Sequence, residues 1–576
     1  MPHRTSWVLL SIAALAAPPL AAQERVFPDW CHGARIADLV LSPDTPDRDL
    51  GEFVSDARED GASVILVHFE EENFYGSLVD EGGWRRMLDR AGRLLESARR
   101  AGLRVAWYVN GLEVMTPGAA RDRERPSLAR SHPDWLQRRA GRGGPGTPIV
   151  FTGLEYGWIA PDMEDAWICP LSDYGELLRA RLSELAGRGL DAVWIDACFL
   201  PGVQPGNEPI WGCGCERCRV RFARDTGLSP DFPLIFADPA FQAWLAWREQ
   251  LVASYLAGLA EHAWSLGVVP FYESSTLDSP DATLLGNDAT ILSASPIGYA
   301  PEIDAPGEEE SMARASPEEW TAYLSMLLFA RDMAGEKPCW VLQYAGGPSD
   351  AERELGMTLA ATGNYFPVLG DDDPEARKFS REAFRLVREV APLVRASRPL
   401  APVAVLYSSR ARDLHDGARG GQYSTKGTRF FRSYRAAVGQ LVQAHVPFRI
   451  VSVPAGPDLS GVRAVVVPDG LPGGDVPALP PGCERLDVGP EGIARIPVPE
   501  LPFSVEAPPS MAVLVRRGEG GWLVSVHALA AAGPSTIRFS APRRFRIRTL
   551  EGERSGEGKV VELAASRPFH FVEVFD

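Results

Sequence analysis

LDAVWIDACF, residues 190–199, is apolar without alternation from Ala192 to Ile195 and then presents a carboxylate, Asp196. A strand that is apolar on both faces belongs to a sheet covered on both sides, which is how parallel sheets flanked by helices are built. Similar runs recur on either side. RIADLVLS (35–42), ASVILVHFE (62–70) and RVAWYVNG (104–111) precede it. VVPFYESS (268–275), ATILSAS (289–295), PCWVLQYA (338–345) and NYFPVLG (364–370) follow. Between them lie amphipathic segments such as 84–102, where Met87, Ala91, Leu94, Leu95 and Ala98 fall on one helical face. Eight strand–helix units predict a (β/α)8 TIM barrel over residues 25–398. The alternative is an open doubly wound sheet, but no glycine-rich phosphate loop follows the first strand.

Outside the barrel the pattern changes twice. VAVLYSS, a helix around 430–446, PFRIVSV and VRAVVVPDG predict a truncated flavodoxin-like unit over 400–482. After a Pro/Gly-rich stretch, alternating strands such as the hairpin 511–529 predict a small all-β unit over 483–576. The N-terminus has a basic start, an apolar run from Trp7 to Ala17 and small residues up to Ala22, the pattern of a secretory signal peptide over 1–22. That run is too short to span a bilayer, so the expectation is a periplasmic or extracellular protein with no membrane partner. A net charge of −17 argues against nucleic acid.

Barrel chemistry sits at the C-terminal strand ends. Reading those ends gives His68 and Glu70, then Trp107, Tyr108 and Asn110, then Trp194 and Asp196. Tyr272, Glu273, Gln343 and Tyr344 follow, with Trp158 in a long loop. Carboxylates among aromatic rings suit sugar, since rings stack on apolar sugar faces and acids act on glycosidic oxygens. A buried carboxylate is costly unless it is paired or used. Asp196 is therefore assigned as nucleophile or base and Glu273 as acid, the two carboxyls a glycosidase needs. An ion pair with a neighbouring arginine is the bland reading of Asp196. The remaining strand-end residues read as substrate contacts. No G-x-S-x-G elbow supports a hydrolytic triad.

WGCGCERCRVRF (211–222) holds three cysteines within six positions. The spacing admits a redox pair, disulfides or three ligands of a tetrahedral zinc site whose fourth comes from elsewhere, with Cys169 and Cys198 as candidates.

The segments ICPLSDYGELL (168–178) and CGCERCRVRF (213–222) resemble the β-galactosidases of glycoside hydrolase family 42. The resemblance implies a structural zinc held by Cys169, Cys213, Cys215 and Cys218. It also implies a barrel, a flavodoxin-like unit and a β unit in that order, and a homo-oligomer, trimer or dimer. The chain departs from that family at the chemistry, with WIDACF in place of Asn-Glu on the fourth strand and VLQYAGG in place of a glutamate on the seventh. HPDWLQRR (132–139) and the W-x-D strand end look more like uncharacterised glycoside-hydrolase-like barrels and α-L-fucosidases, whose nucleophile is an aspartate at that position. The expected function is hydrolysis of an oligo- or polysaccharide. The alternative is a non-catalytic carbohydrate-binding protein on a degenerate barrel.

Overall fold

The computed structural model describes residues 25–576 apart from 42–45, 70–72, 155–158, 202, 205–207, 275, 293–294, 304–315, 345–347, 369–373, 416–428, 454–457, 490–491, 494, 496–500, 502 and 531. Six parallel strands are neighbours in chain order: β1 (Ile36–Leu41), β2 (Val64–Phe69), β3 (Arg104–Asn110), β4 (Ala192–Asp196), β5 (Val269–Ser274) and β6 (Gly298–Pro301). β7 (Leu342–Tyr344) and β8 (Phe366–Val368) pair in parallel with each other. Bridges from Tyr299 to Cys339 and from Glu302 to Leu342 join β6 to β7, and one from Arg35 to Tyr365 joins β8 to β1. The barrel is closed.

Its interior is filled by Ile36, Leu66, Trp194, Phe271, Trp340 and Phe366. The alternate residues of the same strands, among them Ile65, Val67, Val105 and Val193, pack outward. Strand side chains alternate between faces, so both faces of each strand are apolar and both are buried. Helix α1 (Glu81–Ala101) covers one side with the predicted face, Met87, Ala91, Leu94, Leu95 and Ala98, all buried. Asp80 caps its N-terminus and Gly102, in the left-handed region, ends it.

The sixth strand departs from expectation. Ala289–Leu292 is a short helix, begun by Asp288, which accepts from the Thr290 backbone at 2.8 Å; the strand is Gly298–Pro301. A short apolar run reads equally as buried strand or buried helix, and here an aspartate at its head decides for helix.

After β3 the chain makes an excursion. Glu113–Thr116, Val150–Thr152 and Glu164–Trp167 form a small antiparallel sheet with Glu164–Trp167 in the middle. This sheet carries acidic residues to the barrel mouth.

The second unit has β9 (Val403–Ser408), helix α2 (Phe430–Gln443), β10 (Phe448–Val453), β11 (Ala464–Val467) and β12 (Glu484–Gly489). The parallel order is β10-β9-β11-β12. β12 pairs with β11 from Glu484 to Asp487, so this sheet continues past the boundary expected at 482. The Pro/Gly-rich stretch is a connection inside the unit rather than between units. The third unit is antiparallel, and Ser397–Pro399, the continuation of the last barrel helix, forms its edge strand against Met511–Gly518. No helix among the described residues is long and apolar enough to cross a membrane.

A buried charged network ties the second unit to the barrel. The Arg412 guanidinium lies 2.5 Å from Glu249, 2.7 Å from Asp413 and 3.5 Å from Asp288. Asp413 accepts from Thr283 at 2.7 Å, and Arg435 meets Asp278 at 2.6 Å. Asp278, Thr283 and Asp288 belong to the segment that follows β5, so the second unit holds that segment in place.

Candidate active site

Strand alternation sends Tyr108 and Asn110 of β3, Asp196 of β4 and Glu273 of β5 toward the barrel axis at its C-terminal end. Asp196 accepts a hydrogen bond from the Tyr108 hydroxyl. The ring of His68, on β2, lies 4.4 Å from that of Tyr108, and its Nε2 is 3.3 Å from Asp38 of β1. Burial pushes the Asp196 carboxyl up, while the Tyr108 hydroxyl, the Ala197 backbone and His68 pull it back toward the ionised form. His68 is pushed the other way: burial lowers its pKa against the opposing charges of Asp38 and Asp196.

Glu273 stands beside Asp196. The β4–β5 register places Tyr272 opposite Ile195, so the next residues, Glu273 and Asp196, face each other across adjacent strands about 4.8 Å apart. Glu273 is only 5% exposed and accepts from the Trp194 indole N–H. Burial, the charges of Asp196 and Glu302 and a hydrogen bond shared with Glu302 hold its carboxyl well above the usual range. Two carboxyls that share a hydrogen bond must hold a proton between them.

A second carboxyl pair comes from the excursion sheet. Glu113 accepts from the Asn110 side-chain amide at 2.9 Å, and Asp165 from the Trp167 indole at 2.9 Å. Glu113 is raised well above its ordinary value by burial, then by the charges of Asp165 and Asp196. Asp165 is pushed up to about 7 by burial, although hydrogen bonds from Trp167 and Glu113 oppose the shift.

Of the residues expected from sequence, His68, Tyr108, Asn110, Asp196 and Glu273 come together here. Others do not. Trp107 and Tyr272 are buried in the layer between barrel and helices, one residue out of phase with the inward set. Trp194 belongs to the barrel interior, stacked near Trp340, and serves the site as a donor to Glu273 rather than as a sugar platform. Gln343 points outward, bonded to Thr358 at 2.6 Å and to Tyr323. Asp288, which follows the fifth strand, is engaged with Arg412 rather than with this site. Glu70, Trp158 and the Tyr344 side chain lie outside the described residues. Asp38, Glu113, Asp165 and Glu302 were not found by reading strand ends. Glu302 directly follows β6 and was hidden by the misplaced sixth strand.

The cysteines form a separate centre. The sulfurs of Cys169, Cys213, Cys215 and Cys218 all lie within 4.8 Å of one another and are buried. Cys169 Sγ is 3.5 Å from both Cys215 Sγ and Cys218 Sγ, far beyond a disulfide bond. Four sulfurs at about 2.3 Å from a tetrahedral metal stand about 3.8 Å apart, so the donor set fits such an ion. Backbone N–H groups of Leu171 and Cys218 point at Cys169 and Cys215 sulfurs at 3.4 and 3.5 Å. Thiolates favour such donors. Cys215 caps the N-terminus of the helix Glu216–Thr226, and Cys169 precedes the helix Tyr174–Gly187 leading into β4. A metal bound here would fasten the two loops that lead into these helices.

No protein-family model matches the sequence, and no curated protein is significantly similar to it. Solved structures are similar in fold. A catalytic mutant of a glycoside hydrolase family 42 β-galactosidase from G. stearothermophilus aligns over 94% of this chain and 98% of its own at 12% identity, TM-score 0.63. A β-galactosidase from Rahnella sp. R3 aligns over the same shares at 12% identity, TM-score 0.59. One from a psychrophilic Marinomonas aligns over 94% and 100% at 13% identity, TM-score 0.56. Over nearly its whole length, then, this chain, a (β/α)8 barrel followed by an α/β unit and an antiparallel β unit, is similar in fold to family 42 β-galactosidases.

Proposed function

We propose that the protein is an exported glycoside hydrolase that cleaves O-glycosidic bonds in an oligo- or polysaccharide. The observation that carries this is the adjacency of Asp196 and Glu273, which have different partners: Asp196 accepts from the Tyr108 hydroxyl, while Glu273 shares a hydrogen bond with another carboxyl, Glu302. Glu273 shares a proton with Glu302 and is the acid that protonates the leaving oxygen. Asp196, whose carboxyl accepts from Tyr108, attacks the anomeric carbon or deprotonates a water that does so. Following the anomer of the first product by NMR separates these two routes. The signal-like pattern of residues 1–22 supports export to the periplasm or exterior.

The test is turnover of a panel of aryl glycosides and polysaccharides by the purified protein. Sugar binding without turnover would overturn the enzyme reading in favour of a binding module.

The pH dependence follows from the same contacts. Activity falls as pH rises through the elevated pKa of Glu273, because the acid is lost. It falls at low pH as Asp196 is protonated. Tyr108→Phe removes a donor that favours the Asp196 carboxylate, so the acidic limb of kcat/KM moves to higher pH while the basic limb stays.

We also propose zinc as the ion of the cysteine cluster, since four thiolates in tetrahedral reach suit it and its role there is structural. Elemental analysis is expected to find one zinc per chain. Cys169→Ser should abolish it and lower the melting temperature by roughly 5 °C or more. A metal-free protein with full stability would exclude the assignment.

A further inference from the structure

The hydrolytic reading uses Asp196 and Glu273, with Glu302 sharing the proton of Glu273, yet the mouth of the barrel gathers three more carboxyls: Asp38, Glu113 and Asp165. The charges that bear most on Glu113, Asp196 and Glu273 are other carboxyls and His68. Neutral-sugar hydrolysis gives no reason for such a concentration of like charge. The excursion sheet is the extreme case, since it brings Glu113 and Asp165 into hydrogen-bond contact beside Asp196.

A second observation narrows what the place receives. Asn110 is 2% exposed, in register with Asp196, and its Nδ2 donates to Glu113. Its carbonyl oxygen is buried without a partner. The cluster thus offers an unpaired neutral acceptor among acidic acceptors. A sugar hydroxyl brings one donor together with lone pairs that need donors in return. A protonated amine brings three donors, no acceptor and a positive charge. A metal ion is the other cationic possibility, but among the described residues only the four cysteines bring ligand atoms together closely enough for one.

We propose that the substrate is an aminosugar chain whose free, protonated amine is bound by Glu113, Asp165 and the Asn110 carbonyl beside Asp196. The inference deepens the glycosidase reading by naming its substrate class, but the binding it describes does not depend on turnover. Glucosamine, galactosamine and the β-1,4-linked glucosamine tetramer are titrated calorimetrically into the full-length, metal-replete protein. The N-acetylated and the neutral glucose tetramers of the same linkage serve as matched controls. The free-amine tetramer is expected to bind at least tenfold more tightly than either control, with the preference shrinking as salt is raised. Glu113→Gln and, independently, Asp165→Asn should each reduce that preference about tenfold, and circular dichroism confirms that each variant is folded. Equal or weaker binding of the free-amine tetramer overturns the inference, as does absence of binding by every free-amine sugar. So does a preference unchanged in both folded variants. Hydrolysis of neutral oligosaccharides without amine preference sinks this inference and leaves the hydrolase. Amine-selective binding with no glycoside turned over does the reverse.

Discussion

Asp196→Asn is expected to lower kcat on any substrate the protein hydrolyses by on the order of 10³-fold or more, with sugar binding retained. The substitution keeps the shape of the side chain and an oxygen for the Tyr108 hydroxyl. On the proposed mechanism it removes the negative charge that attacks, or activates water against, the anomeric carbon. The partner variant separates the two roles. Glu273→Gln should cost similarly on natural glycosides but much less on aryl glycosides with good leaving groups, which depart without a proton. Steady-state kinetics on both substrate types check this. A variant of Asp196 that keeps most of its kcat would remove it from the chemistry and leave it a structural partner of Tyr108.

The second large effect is on stability. Arg412→Met is expected to destabilise the protein by about 3–5 kcal/mol, the range for removing one partner from a buried ionic cluster. Arg412 is fully buried, and its guanidinium is the countercharge to Glu249, Asp288 and Asp413. Its loss strands those carboxyls in the joint between barrel and second unit. Adding Glu249→Gln to Arg412→Met should recover part of the loss, because it removes a carboxylate that has lost its partner. Urea unfolding of the three proteins measures both effects. Activity should fall together with stability, since the same joint fixes the segment that begins just after Glu273. Unchanged unfolding of Arg412→Met would show that the network contributes nothing to holding the units together.

The barrel was legible because periodicity is a local signal. Both faces of each parallel strand are buried, and that writes continuous apolar runs into the chain; the failure at 289–295 has the same origin. A four-residue buried helix and a four-residue buried strand have similar composition, and an aspartate that caps one of them looks in sequence like any loop residue. That single slip also hid Glu302, which sits at the end of the true sixth strand. Phase mattered as much as position. Trp107 and Tyr272 lie one residue from inward-facing neighbours, and a shift of one residue turns a side chain to the other face.

By itself the sequence determined the succession of barrel, α/β unit and β unit, the strand-end carboxylates Asp196 and Glu273, and three cysteines spaced for one centre, whose fourth member, Cys169, the structure supplied. Each is encoded within a few residues: an apolar run that stops at an acid, or a C-x-C-x-x-C loop. Only the tertiary structure decided what surrounds them. Asp38 meets His68 across the first two strands, Glu302 reaches Glu273 from the sixth, and Glu113 meets Asp165 although 52 residues separate them in the chain. Such meetings leave no local pattern. They arise from closing eight strands into a ring and from folding the excursion sheet over its mouth, which together bring acids from distant segments to one place, where they can share protons and face a common ligand.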